Sequence, residues 1–127
     1  MLTLPSSVRI YLAAGPVDLR KSIDGLSALV CGRSHDVYSG HLYAFVSRRG
    51  DRVKILAWDR SGFVLYYKRL ERGRFRLPKI ADDAIEVELE ATQLAMLLDG
   101  IDVKRVPAPK RWTPPSRKEV DMGSAKI

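Results

Sequence analysis

The sequence predicts a small single domain of α+β class, with a mainly antiparallel sheet of about five strands, two helices packed on it, and a flexible basic C-terminal tail. Three patterns carry that reading. Leu42 to Lys79 holds three strand-like runs separated by short glycine-containing turns. Ile85 to Glu90 alternates strictly between apolar and acidic residues. Two further segments place apolar residues at helical steps of three and four.

In chain order, Val8 to Ala13 (VRIYLA) is a short β-rich run that stops at the turn signal Ala14-Gly15-Pro16. The next stretch, VDLRKSIDGLSALV, sets Leu19, Ile23, Leu26 and Val30 on one stripe. This predicts an amphipathic helix started by Asp18 as N-cap or by Pro16 at its first position. Arg20, Lys21 and Asp24 fall off the stripe and are expected at the surface, with Arg20 and Asp24 spaced for an ion pair. Gly25 inside a helix costs about 1 kcal/mol against Ala, so it marks either a close backbone approach or simple tolerance. Cys31, the single cysteine, has no partner for an internal disulfide and is expected to be a small buried hydrophobe at the helix end.

Gly32 to Gly40 reads as a loop. His35 and His41 bracket it, but two histidines six apart with one distant cysteine do not make the four-ligand pattern of a zinc site, so no metal is expected. Leu42 to Val46, Arg52 to Trp58 and Phe63 to Tyr67 then form an antiparallel meander. Its turns, Ser47 to Asp51 and Asp59 to Gly62, each supply a glycine for a positive φ. Beyond the third strand, Lys68 to Gly73 fits one helical turn and Arg74 to Pro78 fits an extended piece; either leaves the arginines exposed. Ile85, Val87 and Leu89 point to one face of the next strand and Glu86, Glu88 and Glu90 to the other. Ala91 to Leu98 is a short helix burying Leu94, Leu97 and Leu98, with Gly100 as its stop.

Charge is arranged in blocks along the 127 residues. Residues 48 to 79 hold eleven basic and three acidic side chains (+8), residues 80 to 103 none and seven (−7), and residues 104 to 127 seven and two (+5). From Lys104 the composition turns proline-rich and basic, so the chain divides into a domain at 1–103 and a tail at 104–127, where Trp112 sits beside Lys110 and Arg111. Like charges crowded at hairpin tips repel, which points to a polyanion that offsets the repulsion. The candidate nucleic-acid-binding residues are Arg48, Arg49, Arg60, Lys68, Arg69, Arg72, Arg74 and Arg76. The acidic strand is expected either to meet this surface inside the molecule or to face a partner.

Catalysis leaves no motif: there is no Walker-type loop, no nucleophile elbow, and no convergent set of acids for Mg²⁺ chemistry. No apolar run approaches the roughly 18 residues of a membrane span, and no secretory signal is seen, so a cytoplasmic protein without membrane contact is expected.

Two strings, YLAAGPVDLRKSIDGL (Tyr11 to Leu26) and KILAWDRSGFVLYYKRLERGRFRLP (Lys54 to Pro78), resemble the Orf2-like TnpB accessory family of the IS66 group of bacterial insertion sequences. The resemblance is collinear over Val8 to Leu98 and includes Asp18-Leu19-Arg20-Lys21, Asp24-Gly25-Leu26, Trp58-Asp59, Gly62-Phe63 and Lys68-Arg69-Leu70-Glu71. Leu19 stands where that family often has Met, and the tail lies outside the pattern. The resemblance implies a small non-catalytic protein encoded beside a larger transposase and needed for efficient movement of the element, with no catalytic residues and no cofactor to carry over. The expected partners are DNA at the element ends, bound with little sequence choice, and the transposase with other element-encoded proteins. The alternative is an adaptor that contacts the transposase without touching DNA.

Overall fold

The computed structural model describes residues 7–100. Its elements are β1 (Ile10–Ala13), α1 (Ile23–Gly32), β2 (Leu42–Val46), β3 (Arg52–Asp59), β4 (Gly62–Arg69), β5 (Glu86–Leu89) and α2 (Ala91–Leu98). The strands form one sheet in the order β4-β3-β2-β1-β5, and the fold is the expected α+β domain. Only β1 and β2 run parallel, with α1 filling the crossover that a parallel pair requires. The tail at 104–127, with Trp112, lies outside the described residues.

Both faces of the sheet are covered, and β2 shows why. All five of its residues are buried: Leu42, Ala44 and Val46 face one cluster, Tyr43 and Phe45 the other. On the first face, Ile10, Leu12, Val53, Ile55 and Leu89 meet Leu94, Leu97 and Leu98 of α2, together with Phe75 from the segment after β4. On the second, Ala13 and Leu56 meet Leu26 and Val30 of α1 and the preceding Val17 and Leu19.

α1 begins at Ile23, with Ser22 as N-cap, later than the apolar stripe suggests. Asp18 is not the cap. Its Oδ1 accepts the Arg20 backbone N–H at 3.0 Å, an Asx-type turn that competes with helix. The Val17 N–H donates to the Val46 carbonyl at 3.0 Å, which ties the segment to the end of β2. Leu19 is nonetheless buried, so the stripe reports burial correctly and conformation wrongly. Arg20 pairs with Asp18 at 2.8 Å instead of with Asp24. A Cβ on Gly25 would meet the Lys21 side chain at 3.1 Å and no foreign backbone, so the glycine is tolerated there. Cys31 is exposed, because it falls on the solvent side of the last helical turn, and the buried-hydrophobe expectation is corrected.

The meander is present and longer than expected, with β4 running from Gly62 to Arg69. Gly50 takes the positive φ in the first turn (77°). In the second, the positive φ belongs to Arg60 (53°) and not to Gly62, because Asp59 pairs with Gly62 and leaves a two-residue loop, Arg60-Ser61. A left-handed backbone costs a residue with a side chain about 1–2 kcal/mol, and glycine adopts it freely at some entropic cost. Arg60→Gly is therefore expected to hold stability or raise it by up to about 1 kcal/mol, read as an unchanged or higher melting temperature.

Past Arg69 no helical turn forms: Lys68 and Arg69 belong to β4, Glu71 to Gly73 bend, and Arg74 to Pro78 pairs with no strand among the described residues. The chain folds back over the first hairpin, the Leu70 N–H donating to the Asp51 carbonyl and the Phe75 N–H to the Gly50 carbonyl, each at 2.7 Å. β5 spans Glu86–Leu89; Ile85 just before it is exposed instead of joining the buried face. α2 has the expected bounds and buried leucines, and Gly100 follows it at φ 80°. Glu90 caps it through a reciprocal box with Gln93.

Among the described residues, the outer edge of β4 pairs with no other strand, and Val64, Tyr66 and Tyr67 along it are exposed.

Candidate nucleic-acid interface

The β2–β3 hairpin tip, the end of β4 and the return segment put arginines at one end of the sheet, while Arg60 on the β3–β4 turn lies at the opposite end of β3, eight residues or about 26 Å away. Arg48, Arg49, Arg60, Arg69, Arg72, Arg74 and Arg76 are all exposed. Arg48 and Arg49 sit on the β2–β3 turn, Arg60 on the β3–β4 turn, and Arg72, Arg74 and Arg76 on the segment that Phe75 holds down. Among the described residues, none of these six lies in an ion pair. Arg69 meets Glu71 at 3.2 Å, but both are well exposed, and such a pair contributes about 0–1 kcal/mol. Lys68 departs from the group. It is half-buried, and its Nζ donates to the Leu98 carbonyl at the C-terminus of α2, where a cation is stabilised by the helix dipole. Its charge serves the fold first.

The acidic strand does not neutralise this surface. β5 is four strand spacings, about 19 Å, from β4 and two, about 10 Å, from β2, whereas exposed charges are screened over about 8–10 Å. The acids also have partners of their own: Glu86 meets His35 Nε2 at 2.7 Å, Glu88 meets Arg9 at 3.2 Å, and Glu90 caps α2. The molecule is therefore polarised across the sheet, with the basic residues concentrated on β3, β4 and their turns and the acids along the β5 edge.

Three further features are not marked by the charge count. Arg52 and Lys54 lie on the same face of β3, and their cross-strand neighbours in β4 are Arg69 and Tyr67. Arg52 and Arg69 are thus like charges directly opposite each other, an arrangement that destabilises a sheet. The alternation of Arg52 and Lys54 at period two is the signal that would have found them. Tyr38 packs edge-on against Trp58 at 5.0 Å beside the Arg60 turn, and it is exposed. Arg20 holds the Asp18 carboxyl down to about 2 by side-chain and then backbone hydrogen bonds, so Asp18 stays ionised at any working pH.

Among the described residues no group of three or more His, Cys, Asp or Glu converges for a metal ion, and no helix is long and apolar enough to cross a membrane. The half-buried cluster of Tyr11, His35, Tyr43 and Glu86 is packed ring on ring, with the tyrosines stacked at 5.7 Å. It leaves about 10 Å³ of space, enough for no substrate.

The family described as IS66 Orf2 like protein matches residues 8–108. Two curated relatives from Sinorhizobium fredii are similar over most of their length. The protein y4jC is 38% identical over 100 residues, 78% of this chain and 84% of the relative. The protein y4hO is 35% identical over 103 residues, 80% and 88%. Both are described as uncharacterized. No solved structure matches the chain.

Proposed function

Since this chain belongs to the IS66 Orf2-like family, accessory proteins of insertion sequences, we propose that it serves transposition by binding DNA, alone or within a transposase complex, through the basic side of its sheet. The observation that carries the reading is the polarised sheet: exposed guanidiniums are concentrated on the β2–β3–β4 side while the acids are engaged along the β5 edge. Arg48, Arg49, Arg60, Arg69, Arg72, Arg74 and Arg76 contact phosphates, with Lys68 contributing its field, which gives affinity with little sequence choice. Residues 104 to 127, with their surplus of five positive charges, act on the same partner. The protein cuts and joins nothing itself; that chemistry belongs to the transposase. Its place of action is the cytoplasm, where the element's DNA lies.

Purified protein titrated with element-end and random duplexes at several salt concentrations tests this. Six phosphate contacts give a slope of log K against log salt of about −5, nearly equal for both sequences. A flat response removes the reading.

An adaptor role has one observation in its favour, the acidic edge, where Asp82 and Asp83 are exposed to a basic partner. Capture of the transposase without DNA, with no shift of any duplex, favours that role instead.

A further inference from the structure

The basic end is not a flat patch. The segment before α1 and the β2–β3 hairpin enclose a cleft of about 610 Å³, lined by Asp18, Arg20, Arg48, Arg49, Asp51 and Arg52. Four guanidiniums therefore converge on one concavity. Asp18 is taken up by Arg20 at 2.8 Å, and Asp51 accepts from Ser47 Oγ at 3.3 Å. Arg48, Arg49 and Arg52 have no carboxylate in an ion pair among the described residues. Arg52 goes further: its Nε is buried and has no hydrogen-bond partner. A buried donor left unmade costs the fold its desolvation, and a charged one costs more, so this atom is placed for an acceptor that arrives from outside. The facing pair Arg52 and Arg69 calls for the same thing, an anion between like charges.

Next to the cleft, on the same face of the sheet, Tyr67 is 50% exposed, and Lys54 Nζ lies 5.3 Å from its ring centroid. An exposed ring beside a phosphate-binding groove is a stacking platform, and only an unpaired base offers it a free face. The cleft has the volume of a pocket for one drug-sized molecule, so it admits a single nucleotide, whereas a duplex reaches only the arginines at its rim.

From these observations we propose that the cleft is a single-strand site: Arg48, Arg49 and Arg52 hold the phosphate of an unpaired nucleotide, with the Arg20–Asp18 pair forming one wall, and Tyr67 stacks on a neighbouring base. The proposal rests on the DNA-binding reading above and narrows it to frayed or displaced strands, the form of DNA that strand transfer exposes.

Anisotropy titrations of the full chain with labelled oligo-dT of about 12 nucleotides and with a mixed-sequence duplex of equal length test it. Oligo-dT is expected to bind at least about tenfold tighter than the duplex. Tyr67→Ser should weaken oligo-dT about tenfold and leave the duplex unchanged, and Tyr67→Phe should retain binding. Arg52→Gln should reduce the salt slope for oligo-dT by about 0.7, one phosphate contact. Tyr67 lies on an exposed edge, so its variants carry the test even if Arg52→Gln lowers stability. Equal binding of both DNAs with Tyr67→Ser silent overturns the single-strand site and leaves the DNA-binding reading standing. Failure of both DNAs to bind at low salt overturns both. Displacement of oligo-dT by poly-glutamate with Tyr67→Ser silent shows a site for an acidic protein segment and overturns the nucleotide assignment.

Discussion

Replacing Arg48, Arg49 and Arg60 together by Glu is expected to lower affinity for DNA by at least about a hundredfold, with folding unaffected. Each loss of a phosphate contact removes about 1 kcal/mol or more, and each reversal adds repulsion of similar size, so three sites together exceed the roughly 3 kcal/mol that a hundredfold change requires. The salt slope should shrink by about 0.9 per lost contact, from about −5 to about −2.5. All three residues sit at exposed hairpin tips, where substitutions usually move stability by less than about 0.5 kcal/mol. A thermal melt and a salt-dependent titration of one preparation therefore separate binding from folding. An affinity that survives the three reversals would rule out these tips as the point of contact.

Phe75→Ala is expected to have the largest effect on stability, about 3–5 kcal/mol. Phe75 is 5% exposed and packs with the α2 leucines and Val53, although it is flanked by Arg74 and Arg76. It is the apolar peg that holds the return segment over the first hairpin, beside the two 2.7 Å backbone hydrogen bonds. For a domain of this size the loss should lower the melting temperature by more than about 10 °C. It should also free Arg72, Arg74 and Arg76 from a fixed position, so affinity falls even where the protein remains folded. A loss below about 1 kcal/mol in urea unfolding would show that the peg carries little.

These two positions mark how far the residues disclose the fold. The tips follow from local rules: Gly50 provides a positive φ, and alternation in β3 and β4 fixes where the turn must fall, so Arg48, Arg49 and Arg60 were legible. So were β5 and α2, whose patterns are strict over their whole length. Phe75 was not, because a lone aromatic among arginines reads as solvated until the tertiary fold closes over it. The start of α1 misled for a related reason: Leu19 suits a helical stripe, and it is equally buried by a turn that Asp18 stabilises. The parallel pairing of β1 with β2 depends on where α1 lies, which no local pattern states. Arg20 and Arg52 were missed as site residues because the cleft joins segments about thirty residues apart, a distance that no spacing rule spans.

The open margin of β4 has one more bearing on how such a protein behaves. Alternate residues of its eight turn bare amides and carbonyls outward beside Val64, Tyr66 and Tyr67, a template on which a second copy could zip. Arg60 on the turn that leads into that margin and Arg69 at its far end act as gatekeepers, since two such strands brought together would set cation against cation. Removing those charges with alanine would strip the gatekeepers and invite clumping that mimics a loss of function. Exchanging them for glutamate keeps the margin repulsive to its own kind.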